Sequence, residues 1–310
     1  MSKPVLVVNP SSGGGKTGKT FGAMRETIER RLGPCDVRET ARVGHAIELA
    51  RDAALGGAKL VVAVGGDGTF NEVVNGLMRA KEQGAEPELG LIAQGTGGDF
   101  RRTLGLEHRL DVYLDALSAG ATRRIDVGLL THEGDKTRYF VNILSVGMGG
   151  LVDRYVADAS RALGGTAAYF GASLRALVNA KVGRVRCKVT RGGVVTERTV
   201  ETLMLAICNG RYFGSSMMVA PMAELDDGVF ELVALGNTSK VGFALTSKRI
   251  YDGGHMKDPS TVHLQGDAFE LSLENADARA QFLIDLDGEP LGGLPITVKV
   301  VPGALALRTR

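Results

Sequence analysis

Gly65-Gly66-Asp67-Gly68-Thr69 joins the end of an apolar run, Leu60 to Val64, to a helical pattern over Asn71 to Ala80. Glycine on both sides of one carboxylate lets bare backbone approach a polyanion, while the Thr69 hydroxyl and the helix N-terminus behind it add donors aimed at the same point. That is the chemistry of a nucleotide phosphate site. Two further Gly/Ser/Thr-rich turns, Asn9-Pro10-Ser11-Ser12-Gly13 and Gly95-Thr96-Gly97-Gly98-Asp99-Phe100, also follow strand-like runs. A lone turn of this kind is often steric in origin. Three of them along one sheet edge are what wrapping a triphosphate requires.

Gly13-Gly14-Gly15-Lys16-Thr17-Gly18-Lys19-Thr20 also matches P-loop spacing. Against a P-loop, Asn-Pro-Ser-Ser already stands between the first strand and Gly13, and two glycines separate Asp67 from its strand. A Walker B carboxylate ends its strand directly. Asp67, Asp99 and Asp126 each follow or end a strand of the first half. Three acids converging on phosphates repel them unless a divalent cation intervenes, so a metal-centred network is expected. Asp287-Gly288-Glu289 follows another apolar run, where two acids one residue apart on extended chain face the same side and Asp285 continues that face. The alternative there is an Asp-Gly turn closing a hairpin.

The elements that must position these residues fall into two textures. Val5 to Val8, Asp36 to Thr40, Leu60 to Val64 and Leu89 to Ala93 read as strands, alternating with helices over Phe21 to Leu32, His45 to Leu55, Asn71 to Ala80 and Leu110 to Ala119. That alternation predicts a parallel sheet covered on both faces, with ligands at the carboxyl ends of its strands. After Asp126 short strand-like runs separated by turns predict an antiparallel sandwich or barrel, interrupted by helical stretches near Val152 to Ala180 and Lys240 to Tyr251. The expected domains are 1–126 and 127–299 with a cleft between them, the tail from about 300 to 310 returning to the first.

At 310 residues, 44% apolar and 23% charged, the chain has the composition of an ordinary globular protein. A net charge of +2 gives no strong global field, and nucleic acid is not an expected partner. Cys35, Cys187 and Cys208 are scattered and odd in number, which disfavours disulfides and zinc and fits a reducing cytoplasm. With no signal-peptide pattern and no run of about 18 to 20 apolar residues, any work on lipid is expected from the water side. Met217, Met218, Val219 and Met222 are either core filler or the lining of an acyl pocket. The segment Lys240 to Lys257 mixes Lys240, Lys248, Arg249 and Lys257 with Val241, Phe243, Leu245 and Ile250, as a solvated helix or one lying on an anionic membrane does.

The three turns, the second extended through Phe70-Asn71-Glu72, resemble the N-terminal motifs of the diacylglycerol kinase and sphingosine kinase catalytic superfamily, itself more distantly similar to NAD kinases and phosphofructokinases. The resemblance continues in order through Asn142-Ile143-Leu144-Ser145-Val146-Gly147, Asn209-Gly210-Arg211-Tyr212-Phe213-Gly214, Pro221-Met222-Ala223-Glu224-Leu225-Asp226-Asp227-Gly228 and Asp287-Gly288-Glu289. It is nearest to the soluble bacterial lipid kinases. It implies an N-terminal α/β Rossmann-like three-layer domain of the NAD kinase/phosphofructokinase type and a C-terminal antiparallel β-sandwich-like domain.

The activity it implies is ATP- and Mg²⁺-dependent transfer of a γ-phosphoryl group to a lipid hydroxyl, first of all that of diacylglycerol, by a cytoplasmic enzyme in peripheral contact with the membrane. A homodimer is a further expectation. Other lipids, a soluble acceptor such as NAD, and a regulatory protein that binds without turnover are the rival readings. Carried over residue by residue, the nucleotide falls to Asn9, Pro10, Ser11, Ser12, Gly13, Thr40, Gly65, Gly66, Asp67, Gly68, Thr69, Phe70, Asn71 and Thr96. The proton acceptor lies in the Asp287-Glu289 motif, with the choice between the two open. A second metal is implied at Asp227, with carbonyls of Glu224 and Val229, and Asp226 as the competing ligand. Gly97-Gly98 departs from the family, which commonly has a residue followed by Asn before the Asp.

Overall fold

Val5–Val8 (β1) and Leu60–Gly65 (β3) are buried at every position, the signature of strands covered on both faces. In the computed structural model, which describes residues 2–148, 179–235, 239–287 and 289–309, they form a parallel sheet with Asp36–Glu39 (β2) and Glu88–Ala93 (β4) in the order β2-β1-β3-β4. Helices Lys16–Leu32 (α1), His45–Leu55 (α2), Asp67–Lys81 (α3), Asp99–Thr103 (α4) and Leu110–Ala119 (α5) accompany it. The apolar positions Phe70, Val73, Val74 and Leu77 of α3 recur at helical spacing and join the strands in one core.

The sheet does not stop at β4. Ile296–Arg308 (β18) pairs in parallel with β4 at Ala306 and Leu307, and antiparallel with Thr122–His132 (β5) along most of its length. The last strand of the chain thus completes the first domain's sheet, and the boundary expected at 126 falls inside the unbroken β5. Beyond β18 the same sheet continues through Ala268–Leu273 (β15), Gly183–Arg191 (β8) and Val194–Thr202 (β9), with Lys136–Phe140 (β6) beside β5.

A second, antiparallel sheet runs Thr261–Gly266 (β14), Phe230–Leu235 (β13), Met204–Cys208 (β10), Ile143–Gly147 (β7), Leu283–Leu286 (β16), Glu289–Gly293 (β17). Its inner face meets the first sheet across Leu144, Leu205, Phe230 and Ile284 against Leu130, Val185 and Phe269, which makes the β-sandwich. On the outer face a hairpin of Tyr212–Phe213 (β11) and Met217–Met218 (β12) and the helix Lys240–Ser247 (α6), followed by 3-10 turns at Lys248–Asp252 and Gly254–Lys257, cover a third cluster centred on Val219, Phe243 and Ile250. Val219 is fully buried and Met222 is exposed, so the suggested acyl-pocket residues divide between core and rim. Residues 152–178 of the expected helical stretch lie outside the described residues.

Candidate active site

The strand order places the carboxyl ends of β1, β3 and β4 side by side, so the loops that follow them stack on one another. Asn9 Nδ2 donates to Thr69 Oγ1 at 2.9 Å, the Gly66 N–H donates to Ser12 Oγ at 3.2 Å, and the Gln94 N–H donates to the Gly65 carbonyl at 2.7 Å. Glycine is what lets them close. A Cβ on Gly65 would stand 2.6 Å from Thr69 Oγ1, and one on Gly95 would stand 2.6 Å from the Gly66 Cα.

No side chain caps α3 at Gly66, so the N–H groups of its first turn are left for an anion, whereas those of Lys16, Thr17 and Gly18 at the start of α1 are taken by the carbonyls of Gly13, Ser12 and Pro10. A Cβ at Gly68 would meet nothing, which marks open space over that turn. Asn9 Oδ1 holds the Ser11 N–H at 3.0 Å, and Thr40 sits beside β1 through its N–H on the Val8 carbonyl at 2.8 Å. Glu72 accepts the N–H groups of Gly44 and Ala46, fixing the loop after Thr40 onto α3. Phe70 stacks on Phe100 with centroids 4.7 Å apart, and Thr96 is exposed at the lip.

The helix α1 already begins at Lys16, which settles the P-loop spacing. The Gly18 N–H bonds the Pro10 carbonyl at 3.0 Å, and the Thr20 hydroxyl bonds back to Lys16. The segment that would wrap a phosphate is helical and self-satisfied.

The three strand-end acids do not form the single metal-centred set expected of them. Asp67 accepts the N–H groups of Gly98, Asp99 and Phe100 at 2.8, 3.3 and 3.3 Å, capping α4. Asp99 accepts those of Ser215 and Ser216 at 2.9 and 2.8 Å and pairs with Arg102. Asp126, almost wholly buried, accepts those of Gly228 and Gly303 at 2.7 Å each. Asp67 and Asp99 flank Gly97, whereas Asp126 belongs with the Leu225 loop, to whose carbonyl its own N–H donates. Among the described residues no three His, Cys, Asp or Glu side chains are grouped to hold a metal ion. These carboxylates spend their lone pairs on backbone, and each ties together two segments distant in sequence.

The Asp99 anchor joins the two domains through strained backbone. Ser215 and Ser216 have φ of 68° and 89°, a region that favours glycine. Ser216→Gly keeps the N–H and relieves about 1 kcal/mol of strain, so the unfolding midpoint is expected to rise by roughly 1–2 °C. A scanning calorimetry midpoint at or below that of wild type contradicts this account of the turn.

Asp287 occupies the turn between β16 and β17 with φ 49°. The hairpin reading is realised, and the turn aims the carboxylate at the Val141 to Ile143 segment. Its Oδ1 accepts the Ile143 N–H at 2.8 Å, and its Oδ2 accepts those of Val141 and Asn142 at 3.1 and 3.3 Å. With the Asn71 amide oriented to satisfy its surroundings, its nitrogen donates to Asp287 Oδ2 and to the Tyr139 carbonyl, both at 3.2 Å. Helix α3 is thereby bonded to the carboxylate turn of the sandwich. Burial pushes the Asp287 carboxyl up to about 7 against the pull of three amides, and Asp67 adds a like-charge push. Asp285, on the same strand, is buried and accepts the Ser145 hydroxyl at 3.4 Å. Glu289 begins β17 opposite Leu286.

Arg123 gives Asp226 and Asp227 different surroundings. Its guanidinium grips both oxygens of Asp226, one contact being 2.6 Å, and holds that carboxyl below the usual range. Asp227 accepts the Val229 N–H at 3.2 Å. Burial raises its carboxyl, and Asp126, Glu231 and Glu224 raise it further by like charge. The acids that act on Asp227 offer oxygen of the type a hard divalent cation takes, without being grouped into a three-ligand set among the described residues.

Sequence reasoning missed Glu231, which is buried and held by His263 Nε2 at 2.5 Å and Gln265 at 2.8 Å. It also missed Asn75, whose amide bonds both the N–H and the carbonyl of Tyr139 at 2.9 and 2.8 Å. Two asparagines, Asn71 and Asn75, one turn apart on an otherwise apolar helix face were the available sign.

Residues 3–130 match the diacylglycerol kinase catalytic domain, and residues 142–309 match the YegS C-terminal NAD kinase β-sandwich-like domain. A YegS-like lipid kinase of Chromohalobacter salexigens is 33% identical over 275 residues, 87% of this chain and 82% of that one. A diacylglycerol kinase of Bacillus subtilis is 27% identical over 297 residues, 95% of this chain and 92% of that one. A crystal structure of a diacylglycerol kinase from Bacillus anthracis superposes with a TM-score of 0.71 at 20% identity, covering 99% of this chain and 97% of that one, and shows the same two-domain fold. With both of its domains matched in order, the chain belongs to the YegS-like and diacylglycerol kinase family of lipid kinases, and is a phosphotransferase.

Proposed function

We propose that this enzyme transfers the γ-phosphoryl group of ATP to the free hydroxyl of diacylglycerol, giving phosphatidic acid. The observation that carries the reading is the bonding of α3 to Asp287 through Asn71, which brings a phosphate cradle and a buried carboxylate turn onto one helix. Phosphoryl transfer asks chiefly for positioning and for neutralisation of oxygen charge. The uncapped first turn of α3 supplies amide donors for the polyphosphate. The lipid hydroxyl becomes a competent nucleophile as its proton passes to a carboxylate of the Asp287-Glu289 turn, a contribution of roughly 10²- to 10⁴-fold. Mg²⁺ accompanying the nucleotide would neutralise charge on the phosphate oxygens.

The acidic surroundings of Asp227, where the family motif also implies the carbonyls of Glu224 and Val229, support a second, structural ion there. Added Mg²⁺ is expected to raise the unfolding midpoint of the wild type and not that of Asp227→Asn, read by differential scanning fluorimetry. An equal rise in both proteins removes the ion from that loop.

No helix among the described residues is long and apolar enough to cross a membrane. The surface around α6 supports peripheral contact with anionic lipid instead. Val241 and Tyr251 are 73% and 54% exposed, and Lys248 and Arg249 stand exposed beside them. The acceptor is tested by supplying diacylglycerol, phosphatidylglycerol or a sphingoid base in otherwise identical vesicles with ATP and Mg²⁺. Phosphatidic acid as the dominant product supports the proposal, and preferential phosphorylation of another lipid reassigns the substrate.

A further inference from the structure

Helix α4 and the start of α1 gather more positive charge than their own carboxylates can neutralise. Burial lowers the pKa of His108, and Arg101, Lys16 and Arg102 lower it further, so all four groups share one neighbourhood. Arg102 is committed to Asp99 at 3.0 Å and to the Gly97 carbonyl. Asp67 and Asp99 are occupied by backbone N–H groups.

Arg101 is the exception. One nitrogen donates to the Leu106 carbonyl at 2.5 Å, and its remaining donors have no partner among the described residues. The guanidinium lies against Gly98, where a Cβ would stand 3.1 Å from Nε and 3.5 Å from Nη2. Gly98 adopts φ 63°, and its N–H bonds Asp67 in the first turn of α3. Both Arg101 and Asp67 act electrostatically on the Tyr113 hydroxyl, which is 2.9 Å from His108 Nδ1. The side chain therefore stands at the rim of the cradle with donors to spare.

We infer that Arg101, backed by Lys16, is a ligand of the polyphosphate and closes the cradle on the side of α4. This rests on the nucleotide reading above. A guanidinium fork matches two phosphate oxygens at once, and Lys16 at the first position of α1 adds a point charge. A ligand with several negative charges also relieves the like-charge crowding around His108.

The test is calorimetric titration of ADP and of adenosine into the full-length protein and its variants. Arg101→Ala is expected to weaken ADP binding roughly 10- to 100-fold and to leave adenosine unchanged. Arg101→Lys keeps the charge without the fork and should fall between. Equal ADP affinity in wild type and both variants overturns the inference, as does a loss shared equally by ADP and adenosine. If Arg101→Ala does not fold, Arg101→Lys decides alone, with wild-type ADP affinity as the contrary result. A wild type that binds no ADP removes the nucleotide reading itself.

Discussion

Asp287→Asn is expected to lower kcat for lipid phosphorylation about 10²- to 10⁴-fold. The carboxylate accepts three backbone N–H groups from the Val141 to Ile143 segment and the Asn71 amide. A carboxamide has only one acceptor oxygen, so its NH₂ faces at least one of those N–H donors and leaves it unsatisfied, at about 1–3 kcal/mol. Asn tolerates the left-handed backbone at this position, so the loss is one of charge and not of turn geometry. Because burial pushes the carboxyl up to about 7, wild-type activity should rise with pH through that value as the group becomes able to accept a proton.

The effect on stability has the opposite sense. A carboxyl whose folded pKa lies above its unfolded value stabilises the fold when protonated, fully so below about pH 4. That contribution declines as pH rises through about 7. A pH–rate profile that keeps its ascending limb in Asp287→Asn assigns the limb to another group. Comparison with Glu289→Gln then separates the acceptor from its neighbour. The variant that loses both turnover and the ascending limb of the pH–rate profile is the one whose residue takes the proton.

Asp67→Ala is the second large effect. Three N–H groups at the start of α4 lose their acceptor, and loss of a helix cap of this type costs about 0.5–2 kcal/mol. The loop from Gly95 to Gly98 is pinned to α3 through that carboxylate, while the Gly95 and Gly66 backbones touch closely. Releasing it opens the gap between two of the three phosphate loops, so turnover is expected to fall by roughly 10²-fold or more, as when preorganised donors to transferring oxygens are removed. Steady-state kinetics with ATP, together with ADP binding, measures this. Wild-type kcat/KM for ATP in Asp67→Ala contradicts the placement of the phosphates at these loops.

The parallel half and its glycine-rich loops were legible because their signals are local. Fully apolar β1 and β3 followed by glycine-rich turns specify both the strands and the side on which ligands gather. Helix α3 begins at Asp67, four residues before the apolar pattern at Asn71, because the Gly-Asp-Gly turn itself forms its first turn. The fates of the acids were not legible. Asp126 leaves the company of Asp67 because Gly303, 177 residues later, returns on β18 to meet it. Asp226 was separable from Asp227 only once β5 had brought Arg123 alongside. Arg101 drew no notice in the sequence, since two adjacent arginines on a short helix read as surface until one is seen paired and the other with donors unspent.

In the proposed reaction a lipid hydroxyl receives the γ-phosphate at the junction of α3 and the Asp287 turn. The most direct measurement is incubation with γ-labelled ATP, Mg²⁺ and mixed vesicles, followed by organic extraction, for wild type and Asp287→Asn in parallel. The account predicts labelled lipid from the wild type, only when vesicles are present, and a signal at least about a hundredfold lower from the variant. Label confined to water-soluble products, or equal lipid labelling by both proteins, would contradict it.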